Sequence, residues 1–417
     1  MNRLDVIHCV VLASLLLSSR PSVAVEPLIH SGDRIVFLGD AITKQRVYTR
    51  YVMNCFASQS PGVLVGFRNS GLTGDGECDR TPGGLRRLER DVLSLNPTWV
   101  CVAFGMNDAG YQAFEQRRYD DFLSGLTAIV KVLKERQIRI VLMTPGCVGP
   151  GFKRNGIDGR EYNRVLERYA EGVKELAAKE NLAVTDVHDL LSEIAEKASA
   201  ATPPVTLISD PTQPSPVIHA AVAMALMKTL QGETTVAEAV IDAAAGRTVK
   251  TIRCAVSQLT MKSNTLSFVR ADKAIPAWLD LEARTIDRYT ALANKMNHYG
   301  LTVKGLAEGD WQLVVAGTNV AVFSSAELSA GINLASYGGP WQALGAKINA
   351  MSADAEALYN NIWWDVKTMW WLPVEAEAER QRLLDRVTQV LNDRDVARSR
   401  VAVDIPAWKW TVTKIAR

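Results

Sequence analysis

The sequence predicts a three-layer α/β/α fold on a parallel sheet, followed by a C-terminal α+β region, and three observations carry that prediction. Between residues 34 and 230, short apolar or β-branched runs alternate with longer amphipathic stretches. The runs are near-continuously apolar, as strands buried on both faces must be. Beyond residue 248 the pattern changes to Gly-punctuated strands and then to long helices.

The strand candidates, in order, are "RIVFL" (34–38), "VLVGF" (63–67), "TWVCVAF" (98–104), "IRIVLM" (138–143) and "LAVTDV" (182–187). Helices are expected over 117–135 and 160–179, where apolar residues recur at helical spacing. Strands separated by helices of this kind form a parallel sheet covered on both faces. Residues 231–248 read as a linker. After it, "IRCAVSQLTMKSNTLSFVR" predicts a hairpin turning at Ser263-Asn264, and "GLTVKGLAEGDWQLVVAGTNVAVF" two or three further strands. From 340 to 396 the chain reads as helical. The expected organisation is therefore 25–230 for the α/β domain, 231–248 for the linker and 249–417 for the accessory region.

At 417 residues, with 47% hydrophobic and 22% charged residues, the chain has ample material for a sizeable core. A net charge of +2 and the lack of a basic stripe give no basis for nucleic-acid binding. Residues 1–24 have the pattern of a signal peptide: Arg3, an apolar stretch over 6–18, and the small-x-small site Ser22-Val23-Ala24. That stretch is short of the roughly 20 residues a membrane span needs. Export to the periplasm or extracellular space is expected, with no transmembrane span in the mature chain. Five cysteines would remain (Cys55, Cys78, Cys101, Cys147 and Cys254), an odd number without metal-ligand spacing. Cys78 and Cys147 fall in loops of one sheet edge and are candidates to pair; Cys101 reads as a buried small hydrophobe.

In open parallel sheets ligands bind beyond the carboxyl ends of the strands, and the unusual loops fall there. Gly39-Asp40-Ala41 follows the first strand, "NSGLTGDG" with Gly71 the second, and Gly105-Met106-Asn107-Asp108 the third. "SDPTQPSPVIH", with Asp210 three residues ahead of Gln213, precedes the last helix of the domain. Together these stretches resemble the blocks of the SGNH (GDSL-type) hydrolase family, whose sheet is flavodoxin-like. "GDAIT" matches the family's Gly-Asp-Ser-Ile-Thr except at Ala41, "NSG" supplies the glycine block, "GMND" matches Gly-x-Asn-Asp, and "DPTQP" matches Asp-x-x-His-Pro except at Gln213.

The resemblance implies an ester hydrolase in which a serine attacks an acyl carbon, a histidine takes its proton and an aspartate orients that histidine. It further implies that the Ala41 amide, the Gly71 amide and the Asn107 side chain would cradle an oxyanion. Asp210 would be the histidine's anchor, and Asp40 and Asp108 would brace their loops. Ala41 offers only a methyl group, and the Gln213 amide is not a base at neutral pH. Losing a nucleophile or its base lowers turnover by about 10⁶ in a serine protease. Ser70 and Thr43 are the nearby hydroxyls in sequence, read as a loop hydroxyl and a support for the helix start. His188 reads as a cap on the following helix and His219 as a non-catalytic histidine at a helix start.

Asp75, Glu77 and Asp79 form an acidic loop better read as solvated than as a calcium site. Neither metal nor other cofactor is expected. Trp363, Trp364, Trp370 and Trp371 lie within nine residues and read first as helix packing, with a sugar-stacking platform as the sharper alternative. Trp408 and Trp410 alternate as on a strand that covers an edge. The residues favour an exported SGNH-fold protein impaired in turnover, keeping a pocket for a small-molecule or carbohydrate ester. The alternatives are a working esterase or carbohydrate deacetylase with a non-standard nucleophile, and a carbohydrate-binding or interaction protein acting through its Trp-rich region.

Overall fold

In the computed structural model the described residues are 28–73, 80–210, 214–233, 235–369 and 373–415. The signal-peptide stretch, the 74–79 acidic loop with Cys78, Gln213, Trp370 and Trp371 lie outside them.

The first part alternates strand and helix throughout. β1 (Arg34–Gly39) leads into α1 (Ala41–Lys44) and α2 (Val47–Gln59). β2 (Gly66–Gly71) is followed by α3 (Thr81–Arg86) and α4 (Leu88–Asp91), and β3 (Trp99–Ala103) by α5 (Gln116–Glu135). β4 (Arg139–Met143) precedes a small hairpin of β5 (Lys153–Arg154) and β6 (Ile157–Asp158), then α6 (Gly159–Glu180). β7 (Ala183–Thr185), α7 (Val187–Ala200) and α8 (Pro216–Gln231) complete it. The strands form one parallel sheet in the order β2-β1-β3-β4-β7. β1, paired on both sides by β2 and β3, is buried at all but its first residue, which is why it reads as an unbroken apolar run.

Four of the five expected strands lie where the sequence places them. The second starts three residues later than "VLVGF", because Val63 donates back to Ser60 and pairing with β1 begins only at Gly66 opposite Arg34. α5 and α6 match their expected ranges to within a residue at each end. α8 is apolar on nearly every side, the pattern of a helix enclosed rather than half-exposed. Residues 235–242, inside the stretch expected to be a linker, are instead a strand.

That strand, β8 (Thr235–Asp242), pairs with β9 (Arg247–Ile252). The expected hairpin follows as β10 (Cys254–Lys262) and β11 (Thr265–Asp272), turning at Ser263-Asn264. After α9 (Ala291–Met296) come β12 (His298–Lys304), β13 (Asp310–Val315), β14 (Thr318–Ser324), α10 (Ser325–Ala330) and β15 (Ile332–Asn333). α11 (Trp341–Leu358) continues through a π-helical turn into α12 (Trp364–Lys367); α13 (Glu377–Arg400) and β16 (Trp408–Lys414) end the described chain. Two sheets result, β10-β11-β16-β13-β14 and β15-β12-β8-β9. β16 is a central strand, not an edge cover: Trp410 is fully buried and stacks on Phe268 and Trp341. No helix among the described residues is long and apolar enough to cross a membrane.

The accessory region has its own core around Trp311, Trp341 and Trp410, while its helical parts join the core of the α/β domain through Ile286, Tyr359, Trp363 and Leu391. Trp363 and Trp364 are buried in that junction, so they pack helices and present no open face for a sugar. β2, the edge strand of the parallel sheet, is tied to α13 by a buried triad. Asp395 accepts from Arg68 at 2.8 Å and from Arg398 at 2.7 Å.

Candidate functional site

Register brings the first three loops to one rim. Gly39 on β1 lies opposite both Gly71 on β2 and Ala103 on β3, so the segments carrying Ala41 and Asn107 leave the sheet from neighbouring strands at one level. Space is scarce there. A Cβ on Gly39 would sit 2.2 Å from Thr43 Oγ1 and 3.0 Å from the Ala103 carbonyl oxygen, so only glycine fits. Asp40 caps α1 by accepting from the Ile42 amide at 3.0 Å. Ala41 opens the helix, and its N–H is one of the first-turn amides that a helix leaves without an internal acceptor.

Asp108 braces the third loop, accepting from the Gly105 amide at 3.0 Å and the Thr81 amide at 2.8 Å. Burial pushes its carboxyl up to about 6 against the pull of those two donors. Asn107, 8% exposed, accepts at Oδ1 from the Tyr111 hydroxyl at 2.5 Å. Asp40 and Asp108 each bond backbone amides of the loop they sit in.

Gly71 plays a different part from the one expected. Its amide donates to Asn69 Oδ1 at 2.9 Å, and a Cβ there would lie 2.3 Å from the Lys44 nitrogen. Glycine is required here so that β2 can approach α1, and its N–H is turned to Asn69 rather than to an open cradle. Asn69 in turn donates to the Thr43 carbonyl at 2.7 Å and to Thr49 Oγ1 at 3.0 Å. Nothing in the spacing of "NSG" foretold that the asparagine, not the glycine, organises this turn.

The candidate substitutes for a nucleophile or base are each engaged by a neighbour. Ser70, fully buried, donates to the Asp91 carbonyl at 2.7 Å. Thr43 Oγ1 shares a hydrogen bond of 2.9 Å with the Tyr48 hydroxyl, tying α1 to α2 rather than supporting its own helix start. His188 sits in the first turn of α7 with Nδ1 against the Gly146 carbonyl at 3.1 Å; the cap is Asp186, not His188. His219, 2% exposed, places Nε2 at 3.1 Å from Gln45 Oε1 and stacks on Tyr48. Burial, with Arg50 beside it, lowers its pKa to about 4 and keeps the ring neutral. Asp210 is exposed on the loop that enters α8.

Beneath the rim lies an apolar cavity of about 50 Å³, lined by Ile42, Met106, Met143, Leu191, Ile218 and His219 among others. Ile208 and Pro214, from the Asp210 loop, close the same space, so the first, third and last loops meet around it. Cys147, also on its wall, carries a free thiol, while Cys78, the partner suggested by the sequence, lies outside the described residues; burial raises the Cys147 thiol to about 11. Among the described residues no group of three or more His, Cys, Asp or Glu is placed to hold a metal ion.

Comparison with known proteins agrees with this architecture. The profile of the GDSL-like lipase/acylhydrolase family matches residues 32–219. An acetylxylan esterase of Geobacillus stearothermophilus is 25% identical over 221 residues, which cover 48% of this chain and 94% of that protein. The structure of a gut microbial diltiazem-metabolizing enzyme superposes with a TM-score of 0.76 at 22% identity, covering 94% of this chain and 99% of that one. Its likeness in fold therefore runs through the accessory region as well. The crystal structure of the acetylxylan esterase aligns with 48% of this chain and 95% of its own, at 24% identity and a TM-score of 0.40.

Proposed function

We propose, from the premise that residues 32–219 belong to the GDSL-like lipase/acylhydrolase (SGNH) family, that this chain is an exported esterase relative that binds a short acyl ester but turns it over little or not at all. The carrying observation is Ala41: the residue that opens α1, where the family resemblance puts the nucleophile, has no oxygen. Ser70 and Thr43 are committed to buried hydrogen bonds, and His219 is neutral and bound to Gln45, which supports the absence of a substitute. The ligand class follows from the cavity. About 50 Å³ with Ile42, Met106 and Leu191 on its walls suits an acetyl-sized group, in keeping with the acetylated carbohydrate named for the Geobacillus relative.

The chemistry sets the scale of the expected defect. A site without nucleophile and base retains about 10³–10⁴ over water from orientation and oxyanion donors. Purified protein given nitrophenyl acetate and a fluorophosphonate probe is expected to show background hydrolysis and no labelling. Stoichiometric labelling or rapid turnover would overturn the reading in favour of a non-standard nucleophile.

A further inference from the structure

We propose that Tyr111 is the positioning residue for Asn107: its hydroxyl fixes which side of the carboxamide faces the rim. The inference rests on the reading of Asn107 as an oxyanion donor. The hydroxyl donates to Asn107 Oδ1 at 2.5 Å. Oxygen and nitrogen of a carboxamide sit on opposite sides of one carbon, so holding Oδ1 against Tyr111 turns the two Nδ2 hydrogens the other way. An oxyanion needs hydrogens, not the carbonyl oxygen, aimed at it.

The backbone is set up to deliver that hydroxyl. Tyr111 has φ +56°, in the left-handed region that a residue with a bulky side chain enters only where its surroundings hold it there. Gly110 before it is also left-handed, at +77°, and this double turn folds the tyrosine back over the loop it has just left. Tyr162 locks the turn: it accepts from the Tyr111 amide at 3.1 Å and donates to the Met106 carbonyl at 2.5 Å. The Tyr111 ring stacks on Tyr162 with centroids 5.3 Å apart, and the Arg154 guanidinium lies 4.4 Å from its centroid. Asn155, in the turn of the β5-β6 hairpin, donates to the Tyr111 carbonyl at 3.2 Å. Tyr111 is 6% exposed, and its neighbours hold it from the ring face, the backbone and the hydroxyl.

The test reads the Asn107 side chain directly. Protein labelled with ¹⁵N-asparagine gives NH₂ pairs in a ¹H–¹⁵N spectrum, and the Asn107 pair is the one lost in Asn107→Asp. In Tyr111→Phe that pair is expected to shift and its solvent exchange to quicken about tenfold, the equivalent of one ordinary hydrogen bond. The Asn69 pair, buried on Thr43 and Thr49, is expected to stay in place, which general loosening of the domain would not allow. Should Tyr111→Phe fail to fold, Tyr162→Phe unties the same turn while leaving the Tyr111 hydroxyl intact, and a smaller shift in the same pair is expected. An Asn107 pair unmoved in whichever variant folds overturns the proposal. A second arm adds Tyr111→Phe to the Ala41→Ser/Gln213→His background, where kcat is expected to fall about tenfold with KM unchanged. If that background is itself inactive, the oxyanion reading of Asn107 fails, while the NMR arm still decides the positioning role.

Discussion

Ser70, Thr43, His188 and His219 are the side chains that sequence offers as alternative nucleophiles or bases, and each is held by a named partner elsewhere. His219 shows how firmly. Burial, with Arg50 nearby, holds its pKa near 4, below the 6.5 of a free imidazole, while it stacks on Tyr48 and bonds Gln45. The unfolded chain therefore binds the extra proton first on acidification, and stability falls between about pH 6.5 and 4, then levels. The change amounts to about 3 kcal/mol at most. Urea melts of the native protein and of His219→Phe across pH 4–7 are expected to differ in slope over that window, the variant being the flatter. Parallel slopes would mean that the ring is not held neutral. At this scale the sequence showed the glycines, Asp40, Asn107 and Asp108 by their spacing. Asn69 and Tyr111 escaped it, because an asparagine two residues before a glycine and a tyrosine four after an asparagine carry no signal until the backbone folds back.

Elements were legible where burial is two-sided and regular. The parallel strands and the two long amphipathic helices could be read, while "TVAEAVID" could not. Its two alanines and its charges disguise β8, whose Val236, Ala237, Ala239 and Ile241 are buried by tertiary pairing with β12. Contacts between elements were less accessible still. α11 reaches α2 through Glu356, which accepts from Thr49 Oγ1 at 2.7 Å, and Thr49 accepts from Asn69 beside the rim. Burial pushes that carboxyl from 4.5 up to about 7, although Thr49, Arg50, Arg46 and Arg398 all favour the charged form. A carboxyl raised in this way holds its proton in the folded state, so its contribution to stability is present below pH 4.5 and is lost as pH rises towards 7. Glu356→Gln, which keeps an acceptor for Thr49, is expected to stabilise the protein at pH 8 by about 1–3 kcal/mol. The gain should vanish near pH 4. A variant no more stable than the native protein at pH 8 would contradict the raised carboxyl.

On the scale of the molecule, the two regions are joined more closely than a linker would allow. α13 grips the edge strand β2 through the Arg68–Asp395–Arg398 triad, and Trp363 and Trp364 are spent in the same junction. β16, drawn from the far end of the sequence, fills the middle of its sheet, a pairing that no local pattern announces. The accessory region is thus built against the strand that ends beside the site. Of its Trp cluster, the described Trp363 and Trp364 are buried in this junction and offer no open stacking face. The fold brings together a capped first loop, an Asn107 held by Tyr111 and a small apolar cavity, and the proposed function reads Ala41 among them as a nucleophile position without an oxygen. Nitrophenyl acetate hydrolysis by Ala41→Ser/Gln213→His, measured beside the native chain, tests that claim most directly. The double variant is expected to exceed the native rate by at least about 10² as a nucleophile and a base are added beside the proposed Asn107 donor. A double variant as slow as the native chain, with its fold intact, would contradict it.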